Sequence, residues 1–311
     1  MAAPLNICML GGTGFVGAQL AARLARDGHW LTLPARDPDQ GQALRVLPTV
    51  QLLKADIHDP AVLDRLLEGM DAVVNLVGIL NEHGHDTFQR VHADLAAKVV
   101  AAMRAGRIRR LLHMSALGAD VHGPSAYLRS KGAAENHLRA AAAHLDFTIF
   151  RPSVIFGPGD SLTNRFAGLL RLSHGWMPLA RAHARFAPIY VGDVAEAFAR
   201  ALLQRETFGQ TYELGGPDVV TLEQLVRLSA QASGLPCHIL RVPDALGRLQ
   251  AAVLGLLPGK PMTLDNFRSL TRDSVCAEDG CARLGLHPRA MLEVLPTYLG
   301  AQAGPVNFGA Y

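Results

Sequence analysis

Tyr127 and Lys131 stand four residues apart in Tyr127-Leu128-Arg129-Ser130-Lys131, at the opening of a helical run, and so share one helix face. An ammonium beside a phenol favours the phenolate and lowers a pKa that starts near ~10. A tyrosine tuned in this way exchanges a proton with a substrate hydroxyl or carbonyl while hydride moves to or from a nicotinamide. Ser115 ends an apolar run shortly before Tyr127 and offers a hydroxyl to the same substrate oxygen. Read locally, it is a turn serine that satisfies nearby backbone.

Such a pair needs a cofactor held against it, and the start of the chain supplies a seat. Gly11, Gly12, Thr13, Gly14, Phe15, Val16 and Gly17 follow an apolar run at 7–10 and precede a helical pattern at 18–26. Gly11, Gly14 and Gly17 fall at G-x-x-G-x-x-G spacing. Glycine permits the tight turn, the approach of backbone to a pyrophosphate, and close packing of helix on sheet. The helix N-terminus then presents free N–H groups to phosphate charge. The plainer reading is a Gly-rich turn of any α/β protein; the place directly after the first strand favours nucleotide binding.

The rest of the first half alternates. Strand-like runs lie at 7–10, 31–34, 50–54, 72–76, 110–114 and 147–150, with helical stretches at 19–26, 60–67, 92–105 and 126–143 between them. Short apolar strands between amphipathic helices give β-α-β units around a parallel sheet. The expected fold class is α/β, a Rossmann-type doubly wound parallel sheet with a smaller, mostly helical C-terminal lobe. After Arg151 prolines and glycines crowd at Pro152, Gly157, Pro158 and Gly159. Residues 1–151 are thus expected to form the dinucleotide-binding domain, with 187–205 returning to it. The lobe would be 152–186 and 206–311.

Composition narrows the partners. With 311 residues the chain can bury a large core, and 49% of it is apolar against 6% aromatic. A net charge of +3, without a basic cluster interleaved with aromatics, argues against nucleic acid. The first strand begins too early for a signal peptide, and no apolar stretch nears the ~20 residues of a membrane span. Cys8, Cys237, Cys276 and Cys281 match no zinc spacing, so reduced thiols in a cytoplasm are expected.

Together the glycine turn, Ser115 and the Tyr127/Lys131 pair resemble a short-chain dehydrogenase/reductase. Arg151-Pro152-Ser153-Val154-Ile155-Phe156-Gly157-Pro158-Gly159-Asp160 and Tyr190-Val191-Gly192-Asp193-Val194-Ala195 are similar to segments of its extended and atypical branches, the NAD-dependent epimerase/dehydratase-like proteins. Asn75-Leu76-Val77-Gly78-Ile79-Leu80 and His113-Met114-Ser115-Ala116-Leu117-Gly118 resemble the atypical group that includes the dehydrogenase-like accessory subunit of respiratory complex I. The resemblance runs over about 5–300. It implies an NAD(P)H-binding protein linked to respiratory or quinone metabolism, with Tyr127 as acid/base, Lys131 tuning it and holding the nicotinamide ribose, and Ser115 on the substrate oxygen. It also implies caution about turnover, because the complex I subunit is regarded as structural. A soluble sugar-nucleotide epimerase, dehydratase or reductase is the alternative enzyme, and a non-catalytic assembly subunit with bound NADPH the alternative to an enzyme.

Several single residues choose among these. The second strand ends without an acid at 34 or 35, and Arg36 is suited to a 2′-phosphate, which favours NADP(H) over NAD(H). The opposing reading makes Arg36 a solvated charge and gives the acid's role to Asp37. Asp56, with Ile57 beside it, would meet adenine or else cap the next helix. Val77 and Gly78 would let the chain pass beside the cofactor, and Pro152 would join them in binding it. His83 and His85 look metal-like but lack a third ligand at convincing spacing, so no metal is expected. His113 reads as packed. Leu246, Leu249, Val253 and Leu256, within 243–257 and near Arg241, Arg248 and Lys260, form either a lobe-packing helix or a basic amphipathic helix on a membrane or respiratory complex. The expected location is cytoplasmic, or peripheral on a membrane's inner face; the substrate is an unidentified small molecule, for which the resemblance offers quinone-related compounds beside sugar nucleotides.

Overall fold

The computed structural model describes residues 3–256, 260 and 262–300; the far end of the expected lobe at 301–311, and Leu257 of the 243–257 stretch, lie outside the described residues. Strands β1 (Asn6–Leu10), β2 (Trp30–Ala35), β3 (Val50–Lys54), β4 (Ala72–Asn75), β5 (Arg110–Met114) and β6 (Asp146–Pro152) form where apolar runs were read. Helices α1 (Phe15–Arg26), α2 (Pro60–Leu67), α3 (Leu95–Ala105) and α4 (Ala126–Ala140) join them. α1 starts earlier than its apolar periodicity because Gly14, extended at φ −76° and ψ 177°, already serves as its N-cap.

The second half adds β7 (Ile155–Phe156), α5 (Thr163–Leu172), β8 (Trp176–Ala180), β9 (Arg185–Phe186), β10 (Ile189–Tyr190) and α6 (Val191–Leu203). β11 (Gln210–Leu214), β12 (Val220–Thr221), α7 (Leu222–Ala232), β13 (His238–Val242), α8 (Asp244–Leu254) and α9 (Leu264–Ser269) follow, with short helical turns beyond. α6 packs on α1 as the returning element.

The large sheet is wholly parallel, in the order β11-β6-β5-β4-β1-β2-β3. β11 departs from the sequence reading. It lies within 206–311, assigned to the lobe, yet it pairs with β6, Tyr212 opposite Phe150. As an edge strand it alternates polar and buried residues, a weaker signal than the continuous apolar runs of the interior strands. Side chains of β1 divide between two cores: Ile7 and Met9 face α1 and α6, while Cys8 and Leu10 face α2, α3 and α4. All four are fully buried.

Strand order reverses between β1 and β4, so a crevice opens at their carboxyl ends, where ligands of such sheets bind. The turn after β1 forms one wall. Gly11 has φ +78°, and a Cβ on Gly17 would lie 2.2 Å from the Gly11 carbonyl oxygen and 2.7 Å from two backbone carbons of Gly12. Backbone cannot give way as a side-chain tip can. A Cβ on Gly14 would meet only the Gly11 carbonyl, at 3.3 Å, with open space otherwise. Gly17→Ala is therefore expected to lower the unfolding free energy by about 1–3 kcal/mol. Gly14→Ala should cost less than about 1 kcal/mol. Denaturant melts of the two variants check this, and equal losses would contradict it.

Candidate functional site

Packing demands glycine at position 17 but hardly at 14, so the glycine at 14 leaves room in front of the helix. No side chain caps α1, and the amides of Phe15, Val16 and Gly17 have no carbonyl to meet within the helix. This is a seat for a phosphate anion. Thr13 closes one side, packed close to Gly41 of the 3-10 turn Pro38–Leu44. The residues present fit a dinucleotide.

The facing wall comes from β4. Asn75 turns its side-chain oxygen to accept the Val77 amide at 3.1 Å, which ends the strand and carries the backbone outward. A Cβ on Gly78 would lie 3.2 Å from Lys131 Nζ, so the absent side chain is what admits the lysine. Lys131 is buried and donates to the Met114 carbonyl at 3.1 Å; burial pulls its pKa down to about 8, and Glu135 partly opposes this. Tyr127, one turn earlier on α4, is half-buried, with its ring edge-on to Phe88 and His92. Contrary to the expectation of a lowered value, burial pushes its hydroxyl up to about 12. The ammonium that would lower it is turned to the Met114 carbonyl instead.

Ser115 also differs from its expected role. It is 1% exposed and donates to Glu135 Oε1 at 2.6 Å. Glu135, two turns beyond Tyr127, is held bidentately by Arg151 at 2.6 and 2.7 Å and by Arg139 at 3.1 Å. A buried carboxylate requires donors, and Ser115 is one of them. Its proton is therefore committed away from the crevice. Pro152 closes β6 beside this cluster, its carbonyl accepting the Leu117 amide at 3.0 Å.

Beneath Tyr127 lies a polar layer that the sequence did not announce. His92 Nε2 accepts the Ile79 amide at 3.1 Å, so Nδ1 carries the proton and donates to Ser130 Oγ at 2.8 Å. Ser130 in turn donates to the Tyr127 carbonyl at 2.8 Å. Burial foremost, then Lys131 and His113, hold His92 neutral with its pKa down at about 2. His92 reaches this position from a π-helical stretch, Gln89–Asp94, ahead of α3. His113 is packed, as read, yet neither of its ring nitrogens has a hydrogen-bond partner among the described residues. The N-terminus of α4 is capped by Ser125 and also by Asp265 of α9, which accepts the Ala126 and Tyr127 amides at 2.7 and 3.1 Å.

At the other end of the crevice, a cavity of about 550 Å³ is lined by Arg36, Lys54, Asp56, His58, Asp86 and Arg90, together with His83 and His85. Arg36 is exposed and pairs with Asp86 at 2.6 Å. Asp37 is engaged in capping the following turn through the Asp39 amide. Asp56 accepts the His58 amide and does not cap α2; that role belongs to Asp59. Ile57 packs against the core beside it. Among the described residues no group of three or more His, Cys, Asp or Glu could hold a metal ion, and all four cysteines are free.

Comparison with known proteins agrees with this geometry. Residues 11–167 match the model of a family described as NAD(P)H-binding. The chain is 32% identical over 287 residues to a ceramide reductase from Caulobacter vibrioides, covering 90% of this chain and 84% of the relative. It is 30% identical over 287 residues to the mitochondrial NADH dehydrogenase [ubiquinone] 1 alpha subcomplex subunit 9 of Arabidopsis thaliana, covering 87% and 71%. Its fold matches an NADPH-dependent quinone oxidoreductase from Escherichia coli, solved with NADPH, at a TM-score of 0.75, 19% identity, and 94% and 99% coverage. A cradle of glycines at a Rossmann switch point, a Tyr–Lys helix beside it and these sequence matches have one explanation: the chain belongs to the NAD(P)H-binding family of atypical short-chain dehydrogenase/reductase-like proteins.

Proposed function

We propose that the protein binds NADP(H) in preference to NAD(H) and acts as an oxidoreductase tied to quinone-linked respiratory metabolism. The observation that carries this is the placement of Lys131 beside Gly78 at the end of β4, with Tyr127 one turn earlier on the same helix, next to the strand ends that the N-terminus of α1 overlies. The nicotinamide, when bound, supplies or accepts the hydride. In the reducing direction Tyr127 gives its hydroxyl proton to the substrate oxygen as the carbonyl carbon is reduced; in the oxidising direction it takes that proton back. Lys131 leaves the Met114 carbonyl for the nicotinamide ribose and the phenol, and its charge lowers the Tyr127 pKa from the ligand-free value. Ser115, its proton held by Glu135, has an acceptor lone pair left to offer. The respiratory link is supported by the relative named as a subunit of NADH dehydrogenase [ubiquinone], and the reductase activity by the one named as a ceramide reductase.

Cofactor choice is read at Arg36. It stands at the tip of β2, opposite Arg90 across Asp86, whose two oxygens lie 2.6 and 3.6 Å from the two guanidiniums. A 2′-phosphate would compete with Asp86 for the same donors. Asp37, the acid that would favour NAD, is occupied as a cap.

A second reading, in which the cofactor is a structural prop, is favoured by the commitment of the Ser115 proton to Glu135. The two readings diverge in experiment. Arg36→Ala should weaken NADPH binding on the order of tenfold and leave NADH unchanged, since hydrogen bonds to charged groups contribute about 1.5–3 kcal/mol; tighter NADH binding by the wild type would remove the preference. Tyr127→Phe should leave NADPH affinity intact and cut substrate-dependent NADPH oxidation by about 10²–10⁴. An unchanged rate would remove Tyr127 as the acid/base, and the absence of substrate-dependent NADPH oxidation by the wild type would leave the structural reading. With Lys131 near 8 in the free protein, NADPH affinity should be level below that pH and fall above it as the ammonium is lost. Lys131→Met should flatten this dependence in a fluorescence titration across pH 7 to 9.

A further inference from the structure

A second cavity, of about 250 Å³, lies between α8 and α9, far in sequence from the glycine turn. It is lined by Arg181, Arg248, Leu264, Phe267, Arg268 and Thr271. Three arginines line it, and Asp244 accepts from Arg181 Nη2 at 2.6 Å. Arg181 is stacked 4.7 Å above the Phe267 ring and held in the left-handed region at φ 51°. Its Nε is buried without a hydrogen-bond partner among the described residues. Arg248 and Arg268 have no ion-pair partner among the described residues either. Buried donors are normally satisfied, and cations that line one cavity repel unless an anion or water lies between them. The cavity is built for an anion.

What brings the anion is read from the same helix. α8 packs inward through Gly247 and Ala251; a Cβ on Gly247 would lie 2.3 Å from the Ala180 side chain and 2.8 Å from the Phe267 ring. Its outer face carries Leu246, Leu249 and Val253, each more than half exposed, and Leu256, just beyond the helix end, is 86% exposed. Soluble surfaces seldom gather four such side chains on one face. An apolar stripe flanked by Arg248 and Arg268, which have no ion-pair partner among the described residues, has the charge and shape of a helix lying in a lipid interface.

We propose that α8 and α9 form a membrane-docking surface in which the arginine cavity holds the phosphate of an anionic phospholipid headgroup, while the leucine stripe enters the acyl boundary. This site is separate from the nucleotide cradle and does not depend on which cofactor is bound there. It is coupled to the cradle mechanically, because α9 carries both Arg268 and Asp265, the acid that caps the helix bearing Tyr127.

Vesicle flotation tests the proposal with the full chain. Wild type should float with phosphatidylcholine vesicles that contain phosphatidylglycerol and stay behind with phosphatidylcholine alone. Arg248→Gln and Arg268→Gln should each lower partitioning about fivefold, the effect of one arginine near an anionic surface. Leu249→Glu should abolish flotation. Unchanged melting temperature and NADPH affinity establish that these variants are folded, as substitution of unpaired or exposed side chains should allow. Failure of the wild type to float on anionic vesicles would overturn the proposal. So would flotation of the Arg248→Gln/Arg268→Gln double variant at wild-type level, or saturable binding of soluble glycerol phosphate without any flotation.

Discussion

Everything in the crevice depends on how closely α1 can sit on the turn after β1. The Gly17 Cα faces the Gly11 carbonyl with no room for a carbon atom between them. That approach sets the helix N-terminus directly over the strand ends, so that its unbonded amides face the switch point between β1 and β4. A side chain at 17 would tilt the helix and move the amides away from the place where phosphate charge must be met. The left-handed Gly11 and the open Gly14 are consequences of the same geometry, one turning the chain and the other leaving space.

α4 answers α1 from the opposite wall, and it does so as a single polar stripe. Tyr127, Lys131 and Glu135 recur at four-residue intervals on the face turned to β5. Glu135 is the fixed end: with Arg151, Arg139 and Ser115 all donating to it, the carboxylate is fully partnered in a place where an unpartnered charge would be strongly destabilising. Lys131 is the adjustable middle, bound to a carbonyl it can leave. Tyr127 is the proposed working end, steadied through its own carbonyl by Ser130 and His92, and through its ring by Phe88. The helix is thus anchored at the end away from the crevice and positioned, without a charged partner for the hydroxyl, at the end that faces it.

The lobe is joined to this helix by a carboxylate. Asp265 accepts two amides at the start of α4, where the partial positive charge of the helix favours an acid, and Ser269 donates to Ser125 at 2.9 Å beside it. A displacement of α9 would therefore be felt at Tyr127 before it reached the sheet. The two ends of the crevice carry different charges, the Arg36–Asp86 pair at one and Asp265 at the other.

Local chemistry made much of this legible. Apolar runs of four or five residues and the G-x-x-G-x-x-G turn determined the parallel sheet, its first helix and the glycine turn between them, because these depend on backbone sterics and burial of neighbours in sequence. The Tyr–Lys spacing determined that both side chains share a face. Sequence could not place β11, whose edge-strand alternation carries little signal, nor show that Ser115 would spend its proton on Glu135. It could not foresee that Lys131 would turn to Met114 and leave the Tyr127 hydroxyl raised. Those outcomes rest on contacts between residues tens to more than a hundred positions apart, among them Asp265 with Tyr127 and Asp86 with Arg36. Proton positions and ion pairs follow from which groups burial forces together, and only the tertiary structure decides that.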